Sequence, residues 1–116
     1  MKLNEQVVDA IFKELFEDNS LRYRQSLVKP VNNDTGIYAN ARNALAKLDP
    51  AEQDNVFKFI DLVIADSASV ILGTLDGSHF PDNINGDFVV TYKDNEIQGS
   101  LQDLFIEKAE DKDIYS

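Results

Sequence analysis

The apolar positions of the chain first recur at helical spacing. In "MKLNEQVVDAIFKELF", Leu3, Val7, Val8, Ile11, Phe12, Leu15 and Phe16 fall on one stripe, which predicts an amphipathic helix over residues 3 to 17. The pattern then becomes ambiguous. "NSLRYRQSLVKPVNND" alternates Leu21, Tyr23, Gln25 and Leu27 as a strand does, while Ser20 also suits the cap of a short helix ending before Pro30, so strand and helix both stay open. Helical spacing returns in "GIYANARNALAKL", residues 36 to 48. There Ile37, Ala41, Ala44, Leu45 and Leu48 define a narrow face of mostly small residues, suited to close approach by a neighbouring helix.

"DPAE" is the sharpest local signal. Asp49 is placed to cap a helix, Pro50 to occupy its first position and Glu52 to reach back to the cap. The helix so begun carries Val56, Phe57, Phe59, Ile60, Leu62, Val63 and Ile64, which occupy more than one stripe of the helical wheel. Such a helix is expected to be central, with neighbours on two sides. "SASVILGTL" continues it to about residue 75 with a bend near Ser67 to Ser69, or starts a separate short element.

From Asp87 to Leu101 the period changes to two. A turn at Asp94 and Asn95 pairs Lys93 with Glu96, Tyr92 with Ile97, Val90 with Gly99 and Phe88 with Leu101. This puts Phe88, Val90, Tyr92, Ile97 and Leu101 on one face and Thr91, Lys93, Glu96 and Gln98 on the other. A lone hairpin is marginal in water, so it is expected to lie on the long central helix. Ser100 and Asp103 then read as a capping box for a last helix, "LQDLFIEKAE", with Leu101, Leu104, Phe105, Lys108 and Ala109 inward and the tail "EDKDIYS" frayed. The sum is an α+β fold, mostly helical, in which about four helices accompany one antiparallel hairpin (87 to 101) packed on a central helix (about 50 to 75). Residues 1 to 116 form one domain, since this length suits one ordinary domain and not two.

Composition narrows the chemistry. The chain has no cysteine, which removes thiolate nucleophiles, redox pairs and zinc knuckles and suits a reducing, cytoplasmic setting. Charged residues interrupt the apolar pattern at the start, unlike a signal peptide, and no run approaches the ~20 apolar residues of a membrane span. The net charge of −10 is uneven: residues 1 to 50 balance seven basic with seven acidic residues, whereas residues 51 to 116 hold four basic and fourteen acidic. The second part should repel nucleic-acid phosphates and attract basic partners. Arg22, Arg24 and Lys29, with Tyr23 among them, form the one basic cluster, read as a solvated face or an internal counter-charge.

The remaining chemistry lies in "LDGSHFPDNINGD", residues 75 to 87, where the single histidine, His79, stands between Asp76 and Asp82. A calcium loop of the EF-hand kind wants glycine sixth and oxygen ligands first and twelfth. With Gly86 sixth those places fall on Pro81 and Tyr92, and with Gly77 sixth the first falls on Leu72. One imidazole is too few for a zinc site, so no metal and no cofactor is expected. Ser78 beside His79 does not make a nucleophile and base, because adjacent loop side chains point apart and no third residue orients the pair. Asp, Gly, Ser, Pro and Asn are otherwise what turns require.

Two functions of different class follow. In the first, the protein is a non-enzymatic acidic module, like an immunity, antitoxin or inhibitor protein, that binds a basic protein through Asp76, Asp82, Asp87, Asp94, Glu96 and Asp103. The alternative is a small enzyme or small-molecule-binding domain in which His79 works with Asp76 or Asp82. Homodimerisation through the second apolar face of the central helix is compatible with both.

Overall fold

The computed structural model describes residues 1 to 116. Its elements in chain order are α1 (Leu3–Lys13), a π-helical segment (Glu14–Asn19), α2 (Ser20–Leu27), α3 (Ile37–Leu45), α4 (Pro50–Asp76), β1 (Thr91–Tyr92), β2 (Asn95–Glu96) and α5 (Leu101–Asp111). It is the expected α+β fold, mostly helical, with one antiparallel hairpin beside a long helix.

The open segment after residue 20 is helix. Val8, Phe12, Phe16, Ser20 and Arg24 are spaced strictly by four, and on an ideal α-helix such a row drifts by about 40° at each step. The wider π turn between α1 and α2 takes up part of that drift. It leaves Ser20 and Arg24 facing α4, where both meet Asp61: the Ser20 hydroxyl donates to Oδ1 at 2.5 Å and the Arg24 guanidinium to Oδ2 at 2.7 Å. The same guanidinium lies 5.4 Å from the centre of the Phe57 ring. Part of the basic cluster is therefore an internal counter-charge for an acid of the second part.

α3 is turned relative to its expected face. Ile37 is 86% exposed, while Ala39, Arg42 and Leu45 are buried. The cause is polar, since Arg42 Nε donates to the Ser26 carbonyl in the last turn of α2 at 2.9 Å. This places a cation at the negative end of that helix while the arginine stem fills the α2–α3 contact.

α4 begins as its sequence dictates. The Glu52 N–H donates to Asp49 Oδ1 at 2.8 Å, the Asp49 N–H donates to Glu52 Oε1 at 3.0 Å, and Pro50 occupies the first turn. The helix then runs without interruption to Asp76, so Ser67 to Ser69 start no separate element. Its inner side contributes Ala65 and Leu72 to a core completed by Val8 and Phe12 of α1, Ile97, and Leu101, Phe105 and Ala109 of α5. Phe12, Phe16 and Phe105 form its aromatic centre, with ring centroids 4.6 to 6.3 Å apart. Small residues let α5 approach α4 closely: a Cβ at Gly73 would stand 2.6 Å from the side-chain nitrogen of Gln102, which itself donates to the Ser69 carbonyl at 3.0 Å.

The hairpin register differs from the expected one. Thr91 pairs with Glu96 and Tyr92 with Asn95, so the turn residues are Lys93 and Asp94, both left-handed with φ of 51° and 61°. These angles suit the tight turns that match strand twist. The pairing is displaced by two, an even number, so Val90, Tyr92 and Ile97 still share a face. The ladder is also shorter than 87 to 101. The Val90 N–H donates to the side chain of Gln98 at 3.0 Å, and Gly99, at φ 121°, turns the chain out of the strand and into α5. Leu101 is thus the first residue of α5 and not a strand partner of Phe88.

The tail is folded rather than frayed. Asp113 takes φ 58°, the Ile114 N–H donates to the Ala109 carbonyl at 2.9 Å and Ile114 packs against the core. This arrangement closes the C-terminus of α5 as a Schellman motif.

Candidate protein-binding surface

Between α4 and the hairpin, the chain that carries His79 starts from a second Schellman turn. Gly77, at φ 77°, donates to the Thr74 carbonyl at 3.2 Å, and the N–H groups of Ser78 and His79 donate to the Gly73 carbonyl at 2.9 and 3.0 Å. Glycine takes that left-handed position without a Cβ penalty. The Ser78 hydroxyl donates to Gln102 Oε1 at 2.9 Å, which ties the turn to α5. His79 is exposed, outside the apolar depression between α1 and α4. Nowhere do three or more His, Asp or Glu side chains converge as a metal site would need.

Asp76 has a use that its neighbours in sequence do not suggest. Its carboxylate accepts from the N–H of Gly99 at 2.6 Å, of Leu101 at 3.1 Å and of Gln102 at 2.7 Å. These are the otherwise unpaired donors at the start of α5, so the last residue of α4 caps α5 from outside. Ser100 makes no side-chain cap bond, and the expected Ser100–Asp103 capping box does not form. The sequence did hold a hint, because a carboxylate at the C-terminal end of a helix opposes the helix dipole and needs a compensating positive pole. The start of α5 supplies one.

The other acids expected to meet a partner, Asp82, Asp87, Asp94, Glu96 and Asp103, are all exposed, and none takes part in the four ion pairs of the molecule; Glu96 accepts a long hydrogen bond from Gln98 at 3.3 Å. Residues 76 to 107 contain seven acidic residues against one lysine. The same stretch exposes large apolar side chains that the sequence pattern had assigned to a buried face or passed over: Phe80 at 73%, Val89 at 65%, and Phe88 and Tyr92 at lower fractions. Composition alone does not distinguish them from core residues. Phe80, Phe88 and Val89 are outside because the ladder ends at Val90 and the chain before it runs over the surface, and Tyr92 is outside although it pairs with Asn95 at the turn end of the ladder.

The fold and this surface define a small acidic α+β protein with a free-standing acidic and apolar loop region. No protein-family model, curated protein or solved structure matches the chain.

Proposed function

We propose that this chain is a non-enzymatic, acidic protein-binding module whose partner is basic, in the manner of immunity, antitoxin or inhibitor proteins. One observation supports the reading above others: residues 80 to 96 carry exposed Phe80, Phe88, Val89 and Tyr92 among unpaired carboxylates. Protein interfaces draw their affinity from a few desolvated aromatic anchors, and a charged rim steers the partner and sets the rate of encounter. Asp82, Asp87, Asp94, Glu96 and Asp103 supply the rim, while Asp76 is occupied at α5. The same excess of acid disfavours nucleic acid as a partner. The absence of cysteine suits a reducing compartment, and we place the module in the cytoplasm on that ground.

The test is affinity capture with the full chain, followed by association kinetics of the captured protein at several salt concentrations. A basic partner is expected, with an on-rate that falls steeply as salt rises. D82N/D87N/D94N/E96Q should slow association about tenfold or more, Phe80→Ala should speed dissociation, and His79→Ala should change neither. Capture of acidic proteins alone, or an on-rate indifferent to salt, would overturn the proposal.

A further inference from the structure

α4 packs by one side only. Its inner side meets α1, α2 and α5, whereas Val56, Phe59, Ile60, Val63, Ser67, Val70, Ile71 and Thr74 form a stripe on the opposite side. Phe59 is 63% exposed, Ile71 62% and Val63 47%. Over about 27 Å of helix this stripe holds no ionisable residue, although the chain as a whole carries a charge of −10. Its one threonine is already satisfied, since the Thr74 hydroxyl donates to the Val70 carbonyl at 2.8 Å and leaves its methyl outward. Beside the stripe, an apolar depression of about 430 Å³ opens between Ile11 and Leu15 of α1 and Val63, Ser67 and Ile71 of α4.

We infer that this face is the contact between two copies of the chain, related by a two-fold axis that crosses α4 at the level of Ala65. Three observations favour a second copy over another partner. The first is area: the chain exposes 7903 Å², whereas a folded monomer of its 13.0 kDa mass exposes about 6,300 Å². Part of the excess belongs to the connections before α3 and β1. Half of it already equals the roughly 800 Å² that each partner gives to a stable interface. Shape agrees, with a radius of gyration of 17.3 Å against about 13 Å for a compact chain of this size.

The second is charge. A basic partner would be drawn to the acids of residues 76 to 107, but an uncharged stripe is where two acidic chains can close without burying like charges together. The third is symmetry. An isologous contact must be self-complementary, and antiparallel packing about Ala65 sets Val56 against the partner's Thr74, Ile60 against the partner's Val70 and Val63 against the partner's Ser67, with Phe59 and Ile71 on opposite flanks of the seam. Every pair joins a larger to an equal or smaller side chain. Spacings of alternately four and three along Val56, Ile60, Val63, Ser67, Val70 and Thr74 are those of helices packed nearly parallel or antiparallel to each other.

Sedimentation velocity on the full chain is the test. A mass of twice 13.0 kDa is expected at micromolar concentration, with dissociation that weakens as salt is raised, because salt screens the repulsion between two acidic chains. Val63→Asp should weaken association at least about 100-fold while circular dichroism keeps the helical signal. Ile60→Lys and Val70→Glu should each impair self-association and recover a dimer when mixed, because the two changed positions then share a layer across the seam. A folded chain that stays monomeric at hundreds of micromolar overturns the inference and leaves the stripe to a different protein. A dimer indifferent to Val63→Asp, or no recovery on mixing, overturns it as well. The result is independent of the basic partner, whose surface lies on the loop and hairpin.

Discussion

Asp76, at the end of α4, and Asp9, in the middle of α1, are two carboxylates that do different structural work. Asp76 ends α4 and caps α5, so Asp76→Ala leaves three N–H groups at the start of α5 without their acceptor. A loss of about 1–3 kcal/mol is expected in chemical denaturation, whereas Ser100→Ala, at a position with no side-chain cap bond, should change stability by less than about 0.5 kcal/mol. Asp9 on α1 accepts from Lys108 of α5 at 2.9 Å and pairs with Lys13 one turn on at 3.2 Å. The Lys108 hydrogen bond first, and then the Lys13 one, hold its carboxyl below the ordinary value of 3.8. A folded value lower than the unfolded one means that the contribution is complete above the ordinary carboxylate range and disappears as pH falls through the folded value. Asp9→Asn should therefore lower the melting temperature at about pH 7, and the difference from wild type should close as the pH falls below the ordinary carboxylate range and through the lowered folded value. A gap that persists in acid would show that the carboxylate charge is not what holds α1 to α5.

At the scale of elements, what could be read from sequence was whatever depended on neighbours along the chain. The Asp49–Pro50–Glu52 start of α4 is a local hydrogen-bond exchange, and it formed as expected. The hairpin was legible as an alternation, but its turn was not. Choosing Lys93–Asp94 over Asp94–Asn95 moves the pairing by two residues and preserves the faces, so the pattern cannot separate the two registers. What separates them is Ile97 reaching the core opposite Val90, whose carbonyl accepts the Ile97 N–H at 2.9 Å. Because Lys93 and Asp94 both adopt positive φ, Lys93→Asn with Asp94→Gly should stabilise the protein by about 0.5–1 kcal/mol in thermal or urea unfolding. α3 teaches the complementary lesson. Its apolar residues proposed one face, and a single arginine seeking the end of α2 fixed another.

For the whole molecule, two surfaces of opposite character lie on one small chain. The loop and hairpin are acidic with exposed aromatic residues, while the outer side of α4 is apolar and free of charge. Salt separates them in a single set of measurements: it should slow association with a basic partner and strengthen association between copies. Sequence by itself determined the first helix, the start of α4, the presence of a hairpin, the acid bias of the second part and the doubly apolar character of α4, since these follow from periodicity, local capping and residue counts. It also placed Asp82, Asp87, Asp94, Glu96 and Asp103 where the structure leaves them exposed and unpaired. Only the tertiary structure decided which acids were free, because Asp76 and Asp61 find their partners 25 and 37 residues away. It alone decided which side of α4 was buried, because both sides are apolar enough to be core. The choice fell to the side where Ala65, Ser69 and Gly73 are small enough to admit α5, and close packing, unlike hydrophobicity, is not written in the period of a sequence.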